Sequence, residues 1–144
     1  MDVYEVQKDQ FLITTNAKLL QVGVVHGYLT RSYWAKGIER SLVERALKYS
    51  LCFALLENHT QIGFARVITD YTAIGYLADV FVLETHQGKG LGRFLVETVL
   101  AHPELKTLRR FILVTADAHE LYRKFGFDSP SQPEMYMDML RPLR

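Results

Sequence analysis

Apolar and polar residues alternate between two periods along this chain, and the switches outline its elements. Residues 11–15 (FLITT) read as a first strand. Residues 19–29 (LLQVGVVHGYL) have helical spacing, although Gly23 and Gly27 weaken it. A second helix is predicted over 38–49, with Leu42, Val43, Ala46 and Leu47 on one face, and SYWAKG connects the two. The dense apolar run LCFALLEN (51–58) predicts a strand. Asn58, His59 and Thr60 can reverse the chain, and QIGFARVIT (61–69) reads as the returning strand of a hairpin. YLADVFVL (76–83) is a third strand of this group, rich in β-branched and aromatic residues.

A glycine-rich stretch, HQGKGLGR (86–93), follows that strand at once. Behind it Leu91, Leu95 and Val99 recur every four residues beside Val96 and Leu100, which predicts a helix ending near His102 and Pro103. FILVTA (111–116) reads as a buried strand. Strand, glycine turn, helix and strand form a βαβ unit, so the two strands are expected to be parallel neighbours. A last helix is predicted over 117–127, capped by Asp117 with Glu120 three residues on and stopped by Gly126. The tail EMYMDML (134–140) alternates in strand fashion. One α/β domain spanning 1–144 is expected, with a mixed, mostly antiparallel central sheet flanked by about four helices.

Composition narrows the classes. Of 144 residues, 49% are hydrophobic and 23% charged, ordinary for a globular domain with one core. The formal net charge of +1 gives no basis for a nucleic-acid partner, and the run KTLRR (106–110) reads as a solvated loop edge. No apolar stretch approaches the roughly 18 residues that span a membrane, and the N-terminus lacks the order of a signal peptide. The lone Cys52 sits in an apolar run and reads as a buried thiol. A cytoplasmic protein without a metal site is expected, since no HExxH, CxxC or H-x3-H pair occurs.

Three guests could suit HQGKGLGR. A Walker loop fails, because Leu83 stands five before Gly88 and Gly90 follows Lys89 where Ser or Thr is needed. A dinucleotide fingerprint fits Gly88 and Gly90, but Arg93 occupies its third glycine position. The physics favours an anion: glycine admits close approach to the backbone, and the first amides of a helix carry partial positive charge. Lys89 and Arg93 add formal charge. Glycines that only fit the helix to the sheet are the plain alternative.

The spacing Gln87, Gly90, Gly92 after a V-x-V strand and before a helix resembles the acyl-CoA motif of the GNAT N-acetyltransferase superfamily. YRKFGF downstream is similar to that family's second motif, a tyrosine helix followed by GF. The likeness covers nearly the whole chain. It implies acetyl-CoA as cosubstrate and direct acetyl transfer to a primary amine of a small molecule or peptide. It also implies that the backbone of Gly88, Lys89, Gly90, Leu91, Gly92 and Arg93, after Gln87, wraps the CoA pyrophosphate, and that Phe81, Val82 and Leu83 offer backbone groups to the pantetheine. Tyr122 matches the motif tyrosine and would donate a proton to the leaving thiolate. By spacing alone it shares a helical face with Ala118, Leu121 and Phe125, and could equally be core.

The base is open. Asp79 is expected on the same face as Phe81 and could face the active site or pair with Arg66. Glu84, Asp70 and a water chain are the other options, and His119 is expected to be exposed. Tyr28, Tyr33, Trp34, Arg66 and Tyr71 are the candidate acceptor-binding residues. A catalytically inactive CoA-binding sensor is the alternative function, and a homodimer is left open.

Overall fold

The structure, a computed structural model, describes residues 1–142. Six strands line up in chain order: β1 (Glu5–Lys8), β2 (Phe11–Thr14), β3 (Leu51–Glu57), β4 (Thr60–Thr69), β5 (Ile74–Val82) and β6 (Arg110–Ile112). Every neighbouring pair is antiparallel except β5 and β6, which run parallel as the βαβ reading requires. Helices α1 (Val22–Leu29) and α2 (Arg40–Lys48) cover one face of the sheet, whereas α3 (Leu91–Ala101) and α4 (His119–Arg123) pack on the other. Coverage on both faces explains why β3 is a continuous apolar run with no polar stripe.

Two cores result. Phe53, Leu55, Ala65, Val67 and Leu77 meet Leu91, Leu95, Val96 and Val99 of α3. On the opposite face Cys52, Phe64 and Phe81 meet Val25, Leu29 and Val43, so Cys52 is the buried thiol its setting predicts. Asn58 and His59 both take positive φ, 48° and 70°, giving the primed geometry that suits a tight hairpin.

Four sequence expectations are corrected. The N-terminal VYEVQK holds β1, an exposed edge strand too short and too polar to show a period. Residues 17–19 form a 3-10 turn capped by Asn16, and α1 starts only at Val22. Ala118, not Asp117, is the N-cap of α4, which has no side-chain cap; the Thr115 hydroxyl instead accepts from the amides of Asp117 and Ala118 and fixes the turn that leads into the helix. Residues 134–140 form no strand among the described residues, because an isolated strand has no neighbour to satisfy its amides. Gly126, with φ of 96°, is the left-handed stop expected.

Candidate active site

The parallel pair is brief. β5 pairs with β6 only from Ile74–Arg110 to Tyr76–Ile112, and beyond that point the strands part. Just past the parting, β5 carries a bulge: Phe64 faces Phe81 and Arg66 faces Ala78, so Asp79 and Val80 oppose Ala65 alone. Asp79 has φ of 55°. The extra residue inverts the alternation, so Leu77 joins the α3 core while Phe81 joins the α1 core.

Beyond the bulge, Leu83 N–H donates to the Ile62 carbonyl on the β4 side. Val82 turns the other way, and its carbonyl accepts from the Gln87 side chain at 2.9 Å. Of the backbone groups expected to meet a ligand in the gap, those of Val82 therefore face it. The Leu83 amide is committed to β4.

The glycine turn sits at the mouth of this gap. Gly88 and Gly90 have φ of 82° and 77°, and Gly90 is the N-cap of α3. A side chain at either position would be strained in that backbone. Alternating hands turn successive amides toward one point, the geometry of an anion nest. Among the described residues, the amides of Leu91, Gly92 and Arg93 find no acceptor in the chain. Gly92 is different: its φ is ordinary, and a Cβ built on it would meet nothing within 4 Å. Neither strain nor packing requires glycine there. The charges beside the turn are partly spent, since Arg93 pairs with Glu97 at 3.0 Å while His86 anchors the turn's start to Glu57 at 2.9 Å.

Tyr122 of α4 is 9% exposed and lines a cavity of about 490 Å³ with residues 110–115. Its ring packs on Phe127, and its hydroxyl makes no hydrogen bond to a described residue. Burial, then Tyr33 and Asp117, push the phenol up to about 12. The α1–α2 connection arches over the gap between β5 and β6. Trp34 Nε1 donates to Asp79 Oδ1 at 2.8 Å on the β5 side, and the Tyr33 hydroxyl accepts from the Ala116 amide at 3.0 Å beyond β6. Tyr28 stacks on Phe81 with centroids 4.1 Å apart. The Ser32 hydroxyl, bonded to Leu29 and Ala35, holds the connection's curve.

A family model for the acetyltransferase (GNAT) domain matches residues 48–129. A Gibberella zeae protein named, provisionally, an acetyltransferase is 31% identical over 141 residues, covering 81% of this chain and 78% of that protein. A solved GNAT-family structure from Xanthomonas campestris pv. campestris, likewise named provisionally, is 43% identical; the match covers 94% and 96% of the two chains with a TM-score of 0.90. The chain belongs to the GNAT acetyltransferases. A Clostridium acetobutylicum acetyltransferase solved with acetyl-CoA shares the fold at a TM-score of 0.64 and 14% identity, over 96% of this chain and 95% of that one.

In this GNAT acetyltransferase the expected site residues do not all converge. Tyr28, Tyr33, Trp34, Arg66 and Asp79 form one connected cluster under the α1–α2 connection, as Arg66 Nε donates to Asp79 Oδ2 at 2.6 Å. Both expectations for Asp79 hold in part: it shares a face with Phe81, and it pairs with Arg66. Tyr71 lies in the β4–β5 turn with φ of 60° and has no hydrogen-bonding link to the cluster. Glu84 is gripped by Arg31 at 2.8 and 3.1 Å, which holds its carboxyl down at about 2. Asp70 accepts the amides of Thr72, Ala73 and Ile74, which lower its pKa. His119 is exposed, as expected.

Three features escaped sequence reasoning. Arg31 lies over Tyr28 while holding Glu84, and so ties α1 to the start of the glycine turn. Tyr33 reaches the segment after β6. Gln21 and the fully buried Gln61 exchange hydrogen bonds of 2.7 and 3.1 Å and fix the start of α1 to β4. No spacing rule joins residues so far apart in the chain. The only signal was a glutamine at the head of the apolar run that follows the hairpin turn.

Proposed function

We propose that the protein transfers an acetyl group from acetyl-CoA directly to a primary amine of a small molecule or a peptide. The observation that carries the reading is the gap where β5 and β6 part, with free α3 amides beside it; the unpartnered Tyr122 hydroxyl of α4, near Tyr33 of the α1–α2 connection, supports it. The cradle from Gly88 to Arg93 suits a pyrophosphate. Val82 offers the pantetheine an open strand edge, and Phe81 supports that edge from the α1 core. Bound there, acetyl-CoA supplies an activated thioester.

A phenol at about 12 stays protonated at neutral pH. It does not surrender its proton to a thiolate whose conjugate acid lies near roughly 8.5. Tyr122 therefore acts as a hydrogen-bond donor to the departing sulfur, stabilising charge as it develops. The acceptor, with a pKa of roughly 10.4 for a lysine-like amine, must first lose a proton. Arg31 holds Glu84 down at about 2, and the Asp70 carboxylate is occupied by the amides of its own turn, which lower its pKa. Asp79 keeps free lone pairs after meeting Trp34 and Arg66, and is the carboxylate that faces the acceptor cleft. The aromatic connection, Tyr28, Tyr33 and Trp34, forms the wall of that cleft.

Calorimetry with acetyl-CoA and with ATP, followed by an amine screen that reads free-thiol release, tests the proposal. Acetyl-CoA binding with ATP excluded, and thiol release with at least one amine, is the expected result. No acetyl-CoA binding at millimolar concentration overturns it. Binding without release across the amine panel leaves a CoA sensor instead.

A further inference from the structure

Helices α1 and α2 cover their face of the sheet only in part. Leu77 packs in the α3 core, and a Cβ built on Gly75 would meet Val67 and Phe111 of that same core. Ile74 and Tyr76 therefore face the α1–α2 side, as does Ile68, the register partner of Tyr76. Along β4 on this side, Phe64 lies under α1 and α2, Arg66 follows it, and Ile68 comes next. There the cover ends: Ile68 is 47% and Ile74 40% exposed, and Tyr76 is half-buried. Three apolar side chains floor an open shelf that runs up to the Arg66–Asp79 pair.

Charge decides what suits the shelf. At its inner end Asp79 keeps lone pairs after accepting from Trp34 and Arg66, and the Trp34 and Tyr33 rings stand there with centroids 5.1 Å apart. One carboxylate and aromatic rings match an ammonium group. The Arg66 charge is already balanced by Asp79 at 2.6 Å, and its Nη1 donates to Ser50 Oγ at 3.0 Å, so it is a poor anchor for a phosphate or a carboxylate. At the outer end the β4–β5 turn carries Asp70, whose lowered pKa keeps it anionic. Both ends therefore disfavour an anionic ligand, and the floor between them is apolar. A strand rise of roughly 3.3 Å per residue puts Tyr76 on the order of 10 Å from Asp79, comparable with the length of a hexyl or phenylethyl chain.

We propose that the acceptor is a primary amine on an apolar body, an alkyl or aryl-alkyl amine whose ammonium meets Asp79 and whose chain lies along Tyr76, Ile68 and Ile74. This inference rests on the acetyl-transfer reading and narrows its substrate. With saturating acetyl-CoA, free-thiol release gives kcat/KM for ethylamine, butylamine, hexylamine and phenethylamine, and for phosphoethanolamine and a lysine-containing peptide. Along the alkyl series kcat/KM should rise about fourfold per buried methylene. Phosphoethanolamine and the peptide should fall below hexylamine. The double variant Ile68→Thr, Ile74→Thr keeps β-branched residues in both strands, so the sheet should form. It should lower kcat/KM for hexylamine by roughly tenfold, while calorimetry gives wild-type affinity for acetyl-CoA. A series flat in chain length, a preference for phosphoethanolamine or the peptide, or an unaltered hexylamine rate in the double variant overturns the proposal and leaves acetyl transfer standing. Acetyl-CoA binding with thiol release from none of these amines overturns the transfer reading, and this inference with it.

Discussion

Tyr122 and Asp79 show how burial and pairing choose among the roles a side chain could take. For Tyr122, core packing leaves the proposed donation open: its ring belongs to the α3 core while its hydroxyl bonds to no described residue. Tyr122→Phe should lower kcat by about 10²-fold and leave the KM for acetyl-CoA nearly unchanged. The pH profile should keep its shape from pH 6 to 9, since the phenol lies near 12. Steady-state kinetics on the amine found by the screen check both. Asp79 sits with Arg66 at side-chain exposures of 12% and 17%. Asp79→Ala leaves the guanidinium and the Trp34 N–H unpaired and should cost about 2–4 kcal/mol in urea unfolding. Asp79→Asn should cost less, since the amide still accepts from one of the two donors, and kcat/KM with the screened amine should fall if the carboxylate serves as base.

Among the elements, α3 and its leading turn tie sequence to cofactor most directly. Glycine is needed at Gly90 for its backbone, whereas at Gly92 neither strain nor packing requires it, and only the proposed pyrophosphate would. The two alanine variants should therefore separate. Gly90→Ala should lose about 1–2 kcal/mol of stability from left-handed strain and also bind acetyl-CoA more weakly. Gly92→Ala should leave stability unchanged or raise it by up to about 1 kcal/mol, since alanine suits a helix better. It should still weaken acetyl-CoA binding by calorimetry. Equal affinity in Gly92→Ala and wild type would remove the cradle from the argument. This helix was legible because its stripe repeats every four residues. The β5 bulge was not, since one added residue leaves the apolar composition of YLADVFVL untouched and changes only which face each side chain meets.

On the scale of the whole molecule, His102 joins the end of α3 to the N-terminal strands. It is 2% exposed, its ring lies edge-on between Tyr4 and Phe53, its Nδ1 accepts from the Glu104 amide, and its Nε2 finds no partner among the described residues. Burial lowers its pKa, so the fold holds it neutral. The unfolded chain takes up the proton first, near pH 6.5, so this contribution is complete above that pH and declines as pH falls below it. Urea midpoints should be flat from pH 8 to 7 and drop by pH 5.5. His102→Phe should flatten that drop. Glu84 acts in a lower window, below its ordinary 4.5, because its folded value is held at about 2.

The elements from β2 to α4, the parallel step through the glycine turn and the Tyr122 helix were readable from the chain, because periodicity and turn chemistry act over a few neighbouring residues. Local physics marked the glycine turn as an anion site, and the resemblance carried by Gln87, Gly90 and Gly92 implied which backbone groups would form the cradle. The fate of the acids required the fold: Asp79 meets Trp34 from 45 positions away, and Glu84 meets Arg31 from 53. Tyr33 closes over Ala116 across 83. Such pairs exist only once sheet register and the α1–α2 connection bring distant residues together. The tail marks the opposite boundary: its alternation predicts a strand, but whether a strand forms depends on a neighbouring edge to receive its hydrogen bonds, and its own pattern does not say where that edge is.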